Sequence, residues 1–284
     1  MRAGARLLEL ARARGARAVF VVGTAKGVGK TTALRAIYDA ACAANLSVGL
    51  ASVGYRARFP LRAGTLFATA RTLLPATPAV EILQIAPLET SAGALLYART
   101  LHDGSYDVIG PSTASGVRES LAFLGADSDV VLLDGAIDRL AMLASSPGAI
   151  VVSCGAAGAK SQPQAVEDVA ALAARLRVRA ADPTADALEI VGAFTATAAD
   201  ELMRRGERRQ IVVTDPTQIA LNGAALARAL AGLRVRCRRP LEVVAATVCA
   251  LAPERNFEPE SFLRAVAQAT GLPSFDVCAG REAA

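Results

Sequence analysis

Gly23-Thr24-Ala25-Lys26-Gly27-Val28-Gly29-Lys30-Thr31-Thr32 is the stretch that decides how this chain is read. Residues 18–22 before it are a short apolar, β-branched run. Residues 31–45 after it put Leu34, Ile37, Tyr38 and Ala41 on one face of a helix. Strand, glycine-rich turn and helix together make a phosphate-wrapping loop: backbone N–H groups of residues 25–31 face the anion, and the helix N-terminus adds partial positive charge. In that arrangement Lys30 bridges the β- and γ-phosphates of a nucleoside triphosphate, the Thr31 hydroxyl binds magnesium, and Thr32 lies near the α-phosphate. Gly23, Thr24, Ala25, Lys26, Gly27, Val28 and Gly29 supply the wrapping backbone. The strict spacing places glycine at position 24, where this chain has Thr24 with Gly23 one place earlier.

A second segment complements the loop. Asp129-Val130-Val131-Leu132-Leu133-Asp134-Gly135-Ala136 reads as an apolar strand that delivers Asp134 at its C-terminal end, beside the loop in a doubly wound sheet. Asp134 is the expected magnesium partner, directly or through water, and Gly135 lets a backbone amide approach the γ-phosphate. Asp138 and Arg139 follow. They either position water and steady charge during phosphoryl transfer or form a local surface ion pair.

Further strand-like runs fall at 47–53, 79–85, 107–109, 149–152, 211–213 and 241–248, alternating with helical stretches such as 164–175, 223–231 and 260–269. Several strands are apolar throughout, as a parallel sheet covered on both faces requires. The expected fold is a three-layer α/β P-loop NTPase with a mainly parallel sheet. It is read as a single domain over 1–284, with a possible C-terminal extension at 205–284.

The 284 residues, 53% of them hydrophobic, can fill a sizeable core. Net charge is +5, with arginine clusters near 2–17, 204–209 and 234–239 that lack interleaved aromatics, so they read as solvated faces and no nucleic-acid partner is expected. Cys42, Cys154, Cys237, Cys249 and Cys278 form no Cys-x-x-Cys pair and His102 is the single histidine, which argues against zinc and for reduced thiols in a cytoplasmic protein. His102 and Cys154 read as ordinary surface and packing residues. No run is long enough for a signal peptide or membrane span. Residues 110–116 are either a switch loop sensing the γ-phosphate through Ser112, Thr113 or Ser115, or an ordinary polar turn.

The loop register resembles dethiobiotin synthetase and the wider SIMIBI class of P-loop proteins. That class includes the ParA and MinD ATPases, whose additional lysine falls where this chain has Ala25. Lys26 is one place off, leaving trans activation in a homo-oligomer, a γ-phosphate contact and simple exposure as its readings. Residues 63–70 (Ala-Gly-Thr-Leu-Phe-Ala-Thr-Ala), 109–116 (Ile-Gly-Pro-Ser-Thr-Ala-Ser-Gly) and 134–139 (Asp-Gly-Ala-Ile-Asp-Arg) extend the match. So do 151–156 (Val-Val-Ser-Cys-Gly-Ala), 214–217 (Thr-Asp-Pro-Thr) and 257–262 (Phe-Glu-Pro-Glu-Ser-Phe). With the loop, this set resembles the P-loop subunit of the reactivase for the adenosylcobalamin-dependent lysine aminomutase. The resemblance implies an ATP-driven helper that works with a MutS-like partner ATPase to exchange inactive cobalamin on the mutase. Two departures stand out: residues 54–60 are basic where an acidic stretch is expected, and Thr247-Val248-Cys249-Ala250 lacks an expected asparagine.

Competing expectations are a ligase or kinase of the dethiobiotin synthetase kind, which phosphorylates a small carboxylate, and a nucleotide-sensing module with little turnover. ATP against GTP stays open, as do the client and the oligomeric state.

Overall fold

Apolar strands buried on both sides need helices on both sides, and the computed structural model, which describes residues 2–74, 79–135, 148–279 and 281–283, has that construction. The main sheet is built from β1 (Ala18–Gly23), β2 (Val48–Ser52), β3 (Leu66–Ala70), β4 (Val80–Thr90) and β5 (Gly93–Thr100). It is completed by β6 (Val130–Asp134), β7 (Ala149–Gly155), β8 (Glu242–Cys249), β9 (Ser274–Asp276) and β10 (Arg281–Ala283). The spatial order is β10-β9-β8-β7-β1-β6-β2-β3-β5-β4. Neighbours from β9 through β3 run parallel, while β10, β5 and β4 join antiparallel at the two margins.

The helices are α1 (Arg2–Ala13), α2 (Lys30–Ala43), α3 (Ala114–Ala126), α4 (Gln162–Leu176), α5 (Ala196–Arg204), α6 (Gly223–Gly232) and α7 (Pro259–Thr270). Alternation along β1 divides them into layers. Val19 and Val21 face a core with Leu7 and Leu8 of α1 and Leu34, Ile37 and Tyr38 of α2. Phe20 and Val22 face the opposite core, filled by Val117 of α3, Val169 and Leu172 of α4, and Phe262 and Val266 of α7. Three layers follow, as the sequence led us to expect. Helix α1 escaped that reading: its arginines are exposed, but its other face packs on α2 so closely that a methyl on Gly4 would stand 1.9 Å from the Ala36 carbonyl oxygen.

Two strands were placed differently from expectation. The run at 107–109 overlaps Gly104–Val108, which pairs antiparallel with Ala57–Leu61 outside the main sheet. The run at 211–213 belongs to Gln210–Val213, the centre of a separate three-stranded parallel sheet between Ala187–Glu189 and Arg234–Cys237. With α5 and α6 this small sheet encloses its own cluster, including Phe194, Ile211, Val213, Leu226 and Val235. The division considered near residue 205 falls inside this unit, and β8, β9 and β10 return the chain to the main sheet.

Candidate functional site

The C-terminal ends of β1, β6, β7 and β8 converge on the phosphate loop. The Thr24 N–H donates to the Ser153 carbonyl at 3.0 Å, carrying the β1–β7 ladder one residue past Gly23. The chain then turns through Gly27 at φ 80° and Gly29 at φ 87°, left-handed values that favour glycine, and α2 starts at Lys30. A methyl on Gly23 would stand 2.7 Å from Val28 Cγ2 and 2.9 Å from Lys30 Cδ. Here the stem of the loop's own lysine fills the space, which is the physical reason glycine is needed at 23 while half-exposed Thr24 is tolerated.

The loop rests on a floor from β7 and β8. Side-chain positions at Gly158, Gly155 and Gly29 would fall 2.7 Å from Ala25 Cβ, 3.1 Å from Val28 Cα and 2.9 Å from Cys249 Cβ respectively. Gly29 precedes α2 and provides no side-chain cap. Lys30 Nζ donates to the Ala25 carbonyl at 2.7 Å across the loop. Lys26, Gly27, Thr31 and Thr32 are exposed at the mouth.

Asp134 ends β6 directly beneath Thr31, whose hydroxyl donates to Asp134 Oδ2 at 3.2 Å. The carboxylate is only 2% exposed, and Oδ1 has no hydrogen-bond partner among the described residues. Burial pushes its pKa above the ordinary carboxylate value, opposed by the Tyr55 hydroxyl, the Lys30 ammonium and the Thr31 hydroxyl. A buried carboxylate oxygen without a donor, beside a loop hydroxyl, suits magnesium, which takes one or two protein oxygens and fills its other positions with water and phosphate oxygens. Thr31 and Asp134 would hold such a metal, with nucleotide phosphates and water in its other positions. The Gly135 amide is engaged within the sheet. It donates to the Val21 carbonyl at 3.0 Å, so it extends the sheet and reaches a terminal phosphate only if that bond breaks.

Tyr55 carried no signal in the sequence as a site residue. It lies in the segment after β2, where the Ser52 hydroxyl donates to the Tyr55 carbonyl and Gly54 adopts φ 68°. That turn is what brings the phenol to Asp134. The basic character of this segment is partly neutralised, because Arg56 pairs with both oxygens of Asp107 at 2.8 and 2.9 Å. In the 110–116 loop, Gly110 lies against β2, where a methyl would stand 1.9 Å from the Ser52 carbonyl oxygen. Thr113 Oγ1 accepts from the Gly116 N–H at 3.1 Å and caps α3, while Ser112 and Ser115 are exposed.

Other residues singled out by sequence lie away from this cluster or serve the fold. His102 is exposed and Cys154 is buried. Glu258 caps α7 through the Glu260 and Ser261 amides, and Phe257 packs edge-on against Phe262, which accounts for the 257–262 motif structurally. Asp215 likewise caps a short 3-10 turn through the Thr217 amide. Asp138, Arg139 and Ala136 lie outside the described residues.

A mainly parallel sheet whose first strand passes through a phosphate loop into a helix, with a neighbouring strand delivering a buried carboxylate beneath it, has the P-loop NTPase architecture. No protein-family description matches the chain, and no curated protein matches it. Among solved structures, the cell division protein FtsY of Thermotoga maritima matches at 16% identity over 94% of this chain and 75% of that one, with a TM-score of 0.30. The signal recognition particle receptor FtsY of Elizabethkingia anophelis, in complex with GDP, matches at 14% identity over 88% and 63%, with a TM-score of 0.28. No helix among the described residues is long and apolar enough to cross a membrane.

Proposed function

We propose that residues 23–32 bind a purine nucleoside triphosphate, with ATP as the expected nucleotide and GTP as the alternative, together with magnesium. The observation that carries this reading is the Thr31–Asp134 pair, with Asp134 Oδ1 buried and unpartnered beneath the loop. Lys30 supplies positive charge to the β- and γ-phosphates, and the loop backbone orients them. Thr31 and Asp134 would hold the magnesium, which would neutralise phosphate charge when bound. The Lys30 ammonium favours the ionised form of Asp134 against its burial. We assign Asp138 to positioning the attacking water. Lys26, exposed at the mouth, is a γ-phosphate contact.

The use of that nucleotide rests on the motif resemblance: the chain serves as an ATP-driven helper that reactivates a cobalamin-dependent aminomutase with a MutS-like partner ATPase. The test is turnover of ATP and GTP by wild type and Lys30→Ala, alone and with a candidate mutase and partner. Turnover that rises with those proteins and vanishes in the variant supports the helper reading. Turnover without partners that a small carboxylic acid stimulates replaces it with the ligase reading.

A further inference from the structure

The C-terminal ends of β8 and β9 hold a pair of thiols against the phosphate loop. Val248 and Asp276 are register partners on these parallel strands, so Cys249 and Cys278 emerge side by side, with sulfur atoms 3.4 Å apart. Cys278 is exposed and Cys249 half-buried, so the pair is reachable from solvent. Asp276, itself 2% exposed, fixes the approach: Oδ1 accepts from the Cys278 and Ala279 N–H groups, both at 2.9 Å, and curls the chain so that Cys278 faces Cys249. On its other side, Cys249 is packed against the loop. Its Cβ would be 2.9 Å from a methyl on Gly29, and its carbonyl accepts from the Ala156 N–H at 2.9 Å. Cys249 has little room to move without moving Gly29 or the 155–158 floor.

We propose that Cys249 and Cys278 are a redox modification site that closes to an intramolecular disulfide, and that closure distorts the phosphate loop through Gly29. The coupling to nucleotide rests on the function proposed above; the modification does not. The hydrogen bond from Cys278 lowers the Cys249 pKa, and Cys249 serves as the attacking sulfur. The co-reactant is a small disulfide of the glutathione type. The Cys249 thiolate attacks one of its sulfurs, forming a mixed disulfide and releasing one small thiolate. The Cys278 sulfur then attacks Cys249, gives up its proton, and expels the second small thiolate. One small disulfide is reduced to two thiols while two protein thiols are oxidised to one bridge, and the two thiol protons end on the released thiols. Joining the sulfurs contracts their separation from 3.4 Å to about 2.05 Å, which must displace one or both residues.

The experiment treats the full-length chain with oxidised glutathione, maps disulfides by peptide mass, and follows amide hydrogen exchange of residues 24–31. The expected result is a Cys249–Cys278 bridge, with Cys42, Cys154 and Cys237 still thiols, and loop exchange faster by about fivefold or more, reversed by reductant. Cys278→Ser should trap a glutathione adduct on Cys249 instead of a bridge. Affinity for ATP or GTP should fall about tenfold on oxidation. Absence of the bridge, or a bridge that leaves loop exchange unchanged, overturns the inference. If reduced wild type binds neither nucleotide, the nucleotide reading fails, while the bridge and the loop exchange still decide this one.

Discussion

The main sheet, parallel except at its margins, and the small parallel sheet at 187–237 are both helix-covered, yet they treat buried polar groups differently. In the small unit, Gln210 is fully buried, with its oxygen accepting from the Asp182 N–H at 3.0 Å and its nitrogen donating to the Asp182 carbonyl at 3.0 Å. Buried Asp215 accepts from the Thr217 N–H and pairs with Arg239. The buried side-chain polar atoms left without a partner among the described residues are Ser128 Oγ, Asp134 Oδ1 and Arg175 Nε, and none belongs to the small unit. Buried polar groups that close on their own chain stabilise a fold, whereas one left open at a sheet's C-terminal edge beside a phosphate loop is placed for a ligand. Asp134 is the open group here.

That contrast breaks most sharply at the loop. Lys30→Ala should lower nucleotide turnover by about 100-fold or more, measured by phosphate release, with little change in folding stability. Turnover within a few-fold of wild type would remove the lysine from the site. Gln210→Leu should do the reverse. It removes the two hydrogen bonds that the buried Gln210 amide makes to the Asp182 N–H and carbonyl and should cost about 1–3 kcal/mol by denaturant unfolding while nucleotide affinity holds.

Asp134→Asn sharpens the comparison further, because one change should act oppositely on stability and binding. The folded-state pKa of Asp134 is raised by burial, so folding is favoured by the protonated form: that stability is fully present below the unfolded carboxylate pKa and is lost as pH rises through the folded value. The variant should therefore have a higher Tm than wild type at pH 7, the advantage should shrink as pH falls through the carboxylate range, and magnesium-dependent nucleotide binding should weaken. A lower Tm at pH 7 would contradict the assignment of Asp134 as an open, destabilising site group. The smallest effect belongs to the surface: Arg56→Ala removes the pair with Asp107 and should cost no more than about 1 kcal/mol, read from the shift in unfolding midpoint.

The loop and Asp134 were legible in the sequence because both depend on local order. A β-branched run before Gly23, an amphipathic run after Thr31 and an apolar run before Asp134 each fix an element within a few residues. What escaped depends on residues distant in sequence. Tyr55 reaches Asp134 only because β2 and β6 pair in register with Ser52 opposite Asp134, and Cys249 meets Cys278 only because β8 and β9 pair in register. Strands β3 and β5 are short and alanine-containing, and their pairing with each other, and of β3 with β2, places them in the sheet. The Gly23-for-24 shift was visible as a departure from the motif, but its cause, the packed stems of Val28 and Lys30, is a matter of three-dimensional space. The 214–217 and 257–262 motifs carried the family resemblance, although their local work here is capping.

The most direct test of the central claim is calorimetric titration of ATP and GTP into wild type, Thr31→Ala and Asp134→Asn, each with magnesium and with a chelator. The account predicts that wild type binds a nucleoside triphosphate and that magnesium strengthens binding about tenfold or more, with both variants retaining binding but losing most of that magnesium gain. Wild-type binding indifferent to magnesium, or variants that keep the full gain, would contradict it.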